Sequence, residues 1–200
     1  MKKLSAISII FALIALAVVV NARTAAEIPA PPAIGATIAD FTLTDAAGAA
    51  HTLASLEGKN GTVLIFVATQ CPVSNAYNDR MEKLAQDFKA RGVNVIGINS
   101  NSAESASDIK DHAAKNNLTF TILKDSGNKV ADLLGATRTP EAYFLDSSNK
   151  LLYHGRIDNS RDISAVNSSE LRDALEAALA GKPIEKPTAN AFGCSIKRAD

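Results

Sequence analysis

The chain has 200 residues, 46% of them hydrophobic, and its 21 basic residues balance 21 acidic ones to a formal net charge of zero. This balance gives no electrostatic case for binding nucleic acid or an anionic membrane surface. The length is enough for one domain with its own hydrophobic core.

The first residues are typical of a secretory signal. Lysines at positions 2 and 3 precede an apolar run from Ala6 to Val20, and the tripeptide 20–22 (Val-Asn-Ala) fits a small-residue cleavage site. We therefore predict a signal peptide over residues 1–22 and export to the periplasm or the extracellular space. An uncleaved membrane anchor is the alternative, although the run is shorter than the roughly 20 apolar residues that a spanning helix needs.

The remaining chain divides into three parts. Residues 23–38 are a Pro/Ala-rich linker without hydrophobic periodicity, and residues 39–181 carry the regular patterns of one domain. Residues 182–200 form a C-terminal tail, because the repeated Lys-Pro pairs after position 181 end the last helical pattern.

Within the domain, strands and helices alternate. A short β-ribbon over about residues 40–53 comes first. Hydrophobic periodicity then predicts strands at 62–68, 93–98 and 119–123, and helices at 73–91, 103–115 and 129–134. A β-hairpin of residues 141–145 and 151–157 and a last helix over 168–180 follow, with Asn167 and Glu170 as a capping box. This order predicts an α/β fold with a central, partly parallel sheet covered on both faces.

Cys71 lies where the first of these core strands ends and a helical pattern begins. The start of a helix offers free backbone N–H groups and the positive end of the dipole, and both favour a thiolate, which is the reactive form of cysteine. Pro72 suits the first helical position, since its missing N–H would have no partner there. The alternative is a buried structural cysteine, which is common among free cysteines.

The order of elements resembles the thioredoxin fold over roughly residues 35–180. Residues 66–74 (Phe-Val-Ala-Thr-Gln-Cys-Pro-Val-Ser) look like its active-site strand and turn, and residues 139–146 look like its cis-proline segment. Within that superfamily the chain is most similar to the redoxin or AhpC/TSA group, in a peroxiredoxin-like branch. The residues behind this resemblance are Cys71-Pro72, Thr139-Pro140 and the segments 78–80, 99–101, 153–159 and 193–197.

The chain also departs from these families. Ser74 stands at the second cysteine position of the thioredoxin C-x-x-C motif, which excludes a dithiol within that turn, and Gln70 replaces the usual tryptophan. Ala68 and Leu64 stand where peroxiredoxins carry Thr or Ser and Pro, and Arg138 stands where this branch often has a cysteine. Neither family mechanism therefore transfers unchanged.

The resemblance implies a three-layer thioredoxin-like sandwich with an N-terminal β extension, and it implies roles for the residues around Cys71. Cys71 would be the nucleophile. Pro72, Thr139 and Pro140 would form the substrate-binding surface, with the Thr139–Pro140 bond in the cis form.

Two further residues are expected to support the chemistry. Thr69 would stabilise negative charge that develops beside the sulfur. Arg138 is the nearest candidate cation and would lower the pKa of the thiol, unless it is only a solvated loop charge. Arg80 and Arg156 are weaker candidates.

Cys194, the second cysteine of the chain, has three interpretations. As a resolving thiol it would attack an oxidised Cys71, with Phe192 and Ile196 anchoring the tail across the active face. As a permanent structural staple, in a disulfide with Cys71, it would fix the tail in place and leave Cys71 unreactive. As a lone surface thiol it would be exposed to oxidation.

These observations predict an exported, peroxiredoxin-like oxidoreductase that reduces peroxides or oxidised thiols through Cys71. An external thiol, for example on a thioredoxin-like protein, would restore it, and no cofactor is required. A non-catalytic binding module with a structural Cys71–Cys194 disulfide is the alternative. A copper-handling protein is a third reading, but no metal is predicted, since His51, His112 and His154 lie in separate elements without metal-site spacing.

Overall fold

The computed structural model describes residues 28–199. The predicted signal peptide (1–22) and the first part of the predicted linker (23–27) lie outside the described residues. Over residues 28–199, no helix has the length and apolar character that crossing a membrane requires.

Nine strands and five helices make up the described chain. The strands are β1 (Thr42–Asp45), β2 (Ala50–Thr52), β3 (Gly61–Phe66), β4 (Val93–Asn99), β5 (Thr121–Lys124), β6 (Arg138–Thr139), β7 (Glu141–Leu145), β8 (Leu151–Gly155) and β9 (Cys194–Ser195). The helices are α1 (Pro72–Asn75), α2 (Asn78–Lys89), α3 (Ala106–Lys115), α4 (Lys129–Leu134) and α5 (Glu170–Leu179).

Seven strands form a central mixed sheet in the order β2-β1-β5-β4-β3-β7-β8. Strands β3, β4 and β5 are parallel, whereas β7 runs antiparallel to β3 and β8 antiparallel to β7. The predicted N-terminal β-ribbon joins the sheet through antiparallel pairing of β1 with β5. The predicted α/β fold with a central mixed sheet is therefore confirmed.

The core lies on both faces of this sheet, and β3 contributes to both. Val63 and Ile65 belong to a cluster with residues of α2 and α5, while Leu64 and Phe66 belong to a second cluster with residues of α4. This division follows from the two-residue period of a strand, which points successive side chains to opposite faces. Because β3 is buried along its whole length, the loop that follows it starts from a fixed point.

The predicted helix over 73–91 is interrupted near Tyr77. The chain forms one turn of helix, α1, and then a separate helix, α2. Tyr77 lies between them with its ring buried, and its hydroxyl donates to Asp158 at 2.8 Å. The hydrophobic periodicity continues through this break, so the tertiary contacts of Tyr77 rather than local preference account for it.

The predicted capping box of the last helix is wrong. Helix α5 begins at Glu170 behind Ser169, which makes no side-chain cap. The Asn167 side chain bonds instead to Asn159, and the Glu170 carboxylate bonds to Arg156. Both predicted capping groups therefore bond to other partners in the fold.

Both segments that flank the domain pack against it. The described part of the predicted linker runs beside β8, where Gly35 and Leu151 join by a backbone hydrogen bond of 2.8 Å. The tail returns across the domain, and the ring of Phe192 meets Tyr77 edge-on at 6.3 Å between centroids. Ile196 is only 7% exposed. The prediction that Phe192 and Ile196 anchor the tail is confirmed.

Candidate active site

Cys71 occupies the predicted junction between β3 and the first helical turn. It is the N-cap residue of α1, Pro72 is at the start of that turn, and the Ser74 N–H donates to Cys71 Sγ at 3.3 Å. Because α1 has only four residues, a long helix dipole does not act here. The local amide of Ser74 is the group that the sulfur meets directly.

Ser74 has two structural tasks at the second position of the C-x-x-C pattern. Besides donating its N–H to Cys71, it accepts a hydrogen bond from the Ala68 N–H through its hydroxyl at 3.2 Å. Ser74 is 1% exposed. Ser74 thus joins the end of β3 to the cysteine turn, where a thioredoxin would carry its second thiol.

Cys71 and Cys194 are joined by a disulfide bond, with their Cα atoms 5.9 Å apart across 123 positions of sequence. The interpretation of Cys194 as a lone surface thiol is therefore wrong. Cys71 is 4% exposed, whereas Cys194 is half-buried. The partner cysteine lies on the outer side of the pair.

The cis-proline segment packs against this disulfide. The Thr139–Pro140 bond is cis, as predicted, and the Thr139 carbonyl oxygen lies 3.4 Å from Cys71 Sγ. Strand β6 pairs antiparallel with β9, which places Thr139 opposite Cys194. The two cysteines and the cis-proline therefore meet at one point, brought together from three distant parts of the chain.

Arg138 and Thr69 lie beside this point in different ways. The guanidinium of Arg138 is exposed and donates to the hydroxyl of Ser195 at 2.9 Å. Thr69 bonds through its backbone, since its N–H donates to Glu104 and its carbonyl accepts from Asn75. The two weaker candidates, Arg80 and Arg156, are engaged in ion pairs with Asp158 and Glu170 respectively.

Glu104 is a site residue that sequence reasoning missed. Its carboxylate is buried and accepts the backbone N–H groups of Thr69 at 2.7 Å and Gln70 at 3.2 Å. The side-chain amides of Asn99 and Asn101 donate to the same carboxylate at 2.6 and 3.1 Å. Glu104 therefore holds the two residues directly before Cys71. The segment 99–101 contributed to the family resemblance, but nothing in the sequence pairs Glu104 with residues some 35 positions earlier.

Glu141 supports the cis-proline segment from the other side. One carboxylate oxygen accepts the N–H groups of Thr137 and Arg138, both at 2.8 Å, and the other accepts from Tyr143 and contacts His154 Nε2 at 2.6 Å. Burial opposes ionisation, but the hydrogen bonds from His154 and the two amides hold the pKa of Glu141 below its ordinary value. The ring of His154 stacks on the Tyr143 ring, with 4.4 Å between the ring centroids.

The described residues offer no evident metal centre. Across residues 28–199, no group of three or more His, Cys, Asp or Glu side chains is placed to hold an ion.

A mixed sheet of this topology, with a cysteine after a central strand and a cis-proline against it, defines a thioredoxin-like protein with a disulfide beside its cis-proline. The AhpC/TSA family model matches residues 34–154. The match covers more than half of the chain, so the chain belongs to the AhpC/TSA family.

The chain is also similar in sequence or structure to individual known proteins. Chloroplastic peroxiredoxin Q of Sedum lineare is 34% identical over 142 residues, which is 64% of this chain and 73% of that protein. The thiol-disulfide oxidoreductase ResA of Halalkalibacterium halodurans is 31% identical over 113 residues, which is 56% of this chain and 62% of that protein. The crystal structure of a hypothetical protein from Sinorhizobium meliloti 1021 superposes with a TM-score of 0.78 at 30% identity, covering 84% of this chain and 96% of that one. The fold and these relatives make the chain a thiol-dependent oxidoreductase.

Proposed function

We propose that this protein is an exported peroxidase in which Cys71 reduces a hydroperoxide and Cys194 resolves the product. The bond between Cys71 and Cys194 carries the proposal, because a resolving thiol must reach the sulfur that it resolves. The similarity to a peroxiredoxin Q favours peroxide as the substrate. The similarity to ResA, a thiol-disulfide oxidoreductase, makes oxidised thiols the second candidate substrate.

In the first step, the Cys71 thiolate attacks one oxygen of the peroxide. The S–O bond forms as the O–O bond breaks, and the leaving alkoxide takes a proton to depart as an alcohol, or as water from hydrogen peroxide. Cys71 is left as a sulfenic acid. In this proposal the Ser74 N–H stabilises the thiolate before the attack, since it already donates to that sulfur.

In the second step, the Cys194 thiolate attacks the sulfenic sulfur of Cys71. The S–S bond forms, the S–O bond breaks, and the hydroxide leaves as water after taking a proton. The product is the disulfide state of the pair. An external dithiol then reduces it by two exchange reactions and is itself oxidised to a disulfide.

Five other residues have supporting roles in this proposal. Pro72 starts the helical turn behind the nucleophile, and Thr139 and Pro140 form the wall against which the peroxide is held. The hydroxyl of Thr69 stabilises the departing oxygen. Arg138, on the strand beside the sulfur, contributes positive charge that favours the thiolate.

Peroxide consumption with an external dithiol tests the function. The wild-type protein should consume peroxide stoichiometrically with the dithiol, and Cys71→Ser should abolish this. Cys194→Ser is the matched control, since it should still reduce about one equivalent of peroxide per chain and then stall or depend on direct attack by the dithiol. Consumption no faster than that of a free thiol would contradict the proposal and favour a binding module with a structural disulfide.

Export is part of the same proposal. It is supported by the basic and apolar start of the chain and by the presence of a disulfide, which persists in oxidising compartments. The mass of the protein recovered outside the cytoplasm decides whether residues 1–22 are removed.

A further inference from the structure

The end of the tail lies beside Cys71 as an added strand. Strand β9 pairs antiparallel with β6, and the Ile196 N–H donates to the Thr137 carbonyl at 3.0 Å. An extended peptide that binds a protein by strand addition uses the same backbone hydrogen bonds along an exposed edge. The tail therefore takes the place that an extended peptide substrate would need at the cis-proline segment.

From this arrangement we propose that the docked tail restricts Cys71 to oxidants of low molecular weight and excludes disulfides carried by proteins. The inference rests on the proposed function in one respect, since it takes Cys71 as the reactive thiol. The inference adds to that function a substrate class, oxidants of low molecular weight, and identifies the C-terminal tail as the segment that selects this class.

The tail is fitted closely over the cis-proline segment. Gly193 has a positive φ of 143°, and a Cβ atom at this position would overlap the carbonyl oxygen of Thr139. Backbone therefore lies directly on backbone, and no space remains between them for another polypeptide. Ile196, at 7% exposure, inserts into the cluster that includes Leu134 and Ala136.

Further contacts hold the tail independently of the disulfide. The Lys197 N–H donates to the side-chain oxygen of Asn101 at 2.7 Å, and the Lys197 carbonyl accepts from the Ser102 N–H at 2.8 Å. Arg198 pairs with Asp132 and also donates to the Ala136 carbonyl at 2.7 Å. Because none of these contacts involves a cysteine, we expect the tail to stay docked when the disulfide is reduced.

The two kinds of oxidant differ in what they need at the site. A hydroperoxide presents two bonded oxygens to the thiolate and needs no strand pairing. A protein disulfide would exchange with Cys71, forming a mixed disulfide and releasing one thiolate, but its flanking chain must lie beside β6. With Cys71 4% exposed under the tail, only the smaller oxidant reaches the sulfur without displacing β9.

Size-graded alkylation of Cys71 tests the inference without any turnover. The reference protein is the full chain with Cys194→Ser, which keeps the tail and leaves Cys71 as the single thiol. Iodoacetamide is the small probe and a maleimide on a polyethylene glycol chain is the bulky one. In Cys194→Ser/Ile196→Asp, where a charge replaces the buried anchor, we expect the ratio of bulky to small alkylation rates to rise at least about tenfold.

A matched control places the same aspartate where the tail is not involved. Ile163 is 69% exposed on a turn outside the tail, so Cys194→Ser/Ile163→Asp should keep the reference ratio. If Ile196→Asp prevents folding, Cys194→Ser/Arg198→Glu provides a milder variant, since it puts two negative charges together at Asp132. Circular dichroism shows which variants are folded.

An unchanged ratio in a folded variant with a displaced tail would overturn the inference, and so would an equal rise for both probes. A second readout is the rate at which Cys71 forms a mixed disulfide with an oxidised, unfolded protein. This rate should rise in the same variants in which alkylation by the bulky probe becomes faster. These results are independent of the peroxide assay. Loss of peroxide turnover would remove the proposed function and leave the alkylation result standing, whereas equal access of both probes would remove the inference even if peroxide is consumed.

Discussion

Glu104 is the residue on which the loop before Cys71 depends. Each of its carboxylate oxygens accepts one backbone N–H from the loop, of Thr69 or Gln70, and one side-chain amide, of Asn99 or Asn101. A buried carboxylate that accepts four donors cannot be replaced without leaving some of them unsatisfied. We therefore regard Glu104 as a positioning residue that acts through the backbone on Cys71, the proposed nucleophile.

Replacing Glu104 by Gln tests this role. The amide nitrogen of Gln would face two donors, so the free energy of unfolding should fall by about 1–3 kcal/mol in denaturant titrations. In the Cys194→Ser background, where Cys71 is a free thiol, the pH dependence of Cys71 alkylation should shift as well, because the loop no longer fixes the sulfur environment.

Glu176→Gln is the matched control, since this carboxylate is exposed and pairs only with Arg91 at the surface. It should change neither the alkylation profile nor the stability appreciably. An unaltered alkylation profile in Glu104→Gln would show that Glu104 stabilises the fold without positioning the thiol.

At the scale of elements, the short turn between β6 and β7 combines the cis-proline with the carboxylate of Glu141. That carboxylate accepts the backbone N–H groups of Thr137 and Arg138, upstream of the proline, and contacts His154 from β8. The ionised carboxylate of Glu141 therefore links β6, β7 and β8. The remaining titratable group in contact with it is Tyr143, whose hydroxyl donates at 3.0 Å.

The ionisation of the Glu141 carboxylate predicts that the stability of the protein depends on pH. The pKa of Glu141 is lower in the folded protein than its ordinary value of 4.5. Its contribution is therefore fully present above the ordinary pKa and is lost as the pH falls through the folded value. Near neutral pH, Glu141→Gln should cost about 1–3 kcal/mol of unfolding free energy, and at about pH 3 the difference from wild type should shrink.

Denaturant titrations at both pH values measure the effect. Glu176→Gln is again the control, because its surface carboxylate contributes little at either pH. If Glu141→Gln lowers the free energy of unfolding by the same amount at neutral and acid pH, the charge of Glu141 does not contribute to stability, and only its packing and hydrogen-bond geometry do.

At the scale of the whole molecule, the tail contacts three separate parts of the domain. It connects to β8 through the bridge of Thr188 with His154, to α1 through Cys194, and to the loop after β4 through Lys197. A crosslink between positions 123 apart restricts the unfolded chain strongly, because it closes a long loop.

Reduction of the Cys71–Cys194 bond should therefore lower the free energy of unfolding by about 2–5 kcal/mol. Denaturant titrations with and without reductant measure this directly, and Cys71→Ser/Cys194→Ser should not respond to the reductant. A loss much smaller than this range would mean that the noncovalent contacts of the tail provide most of its stabilisation. A bond that withstands mild reductant altogether would favour the structural-staple interpretation.

The sequence by itself determined the order of the elements and the place of Cys71. Hydrophobic periodicity in the sequence is clear where helices cover a buried sheet. It therefore predicted, within a few residues, the bounds of β3, β4, α4 and the hairpin of β7 and β8. Thr139-Pro140 was predicted as the cis bond from the family resemblance. Phe192 and Ile196 were predicted as the anchors of the tail for the case in which Cys194 reaches Cys71 as a resolving thiol.

Only the tertiary structure decided which distant groups meet. It joined Cys71 to Cys194, placed Glu104 under the loop before the cysteine, and divided the helix at Tyr77. It also turned the tail into a strand beside Thr139. Such contacts depend on where elements lie in space, and hydrophobic period and turn chemistry are local, so they carry no information about pairs of residues that are far apart in the chain.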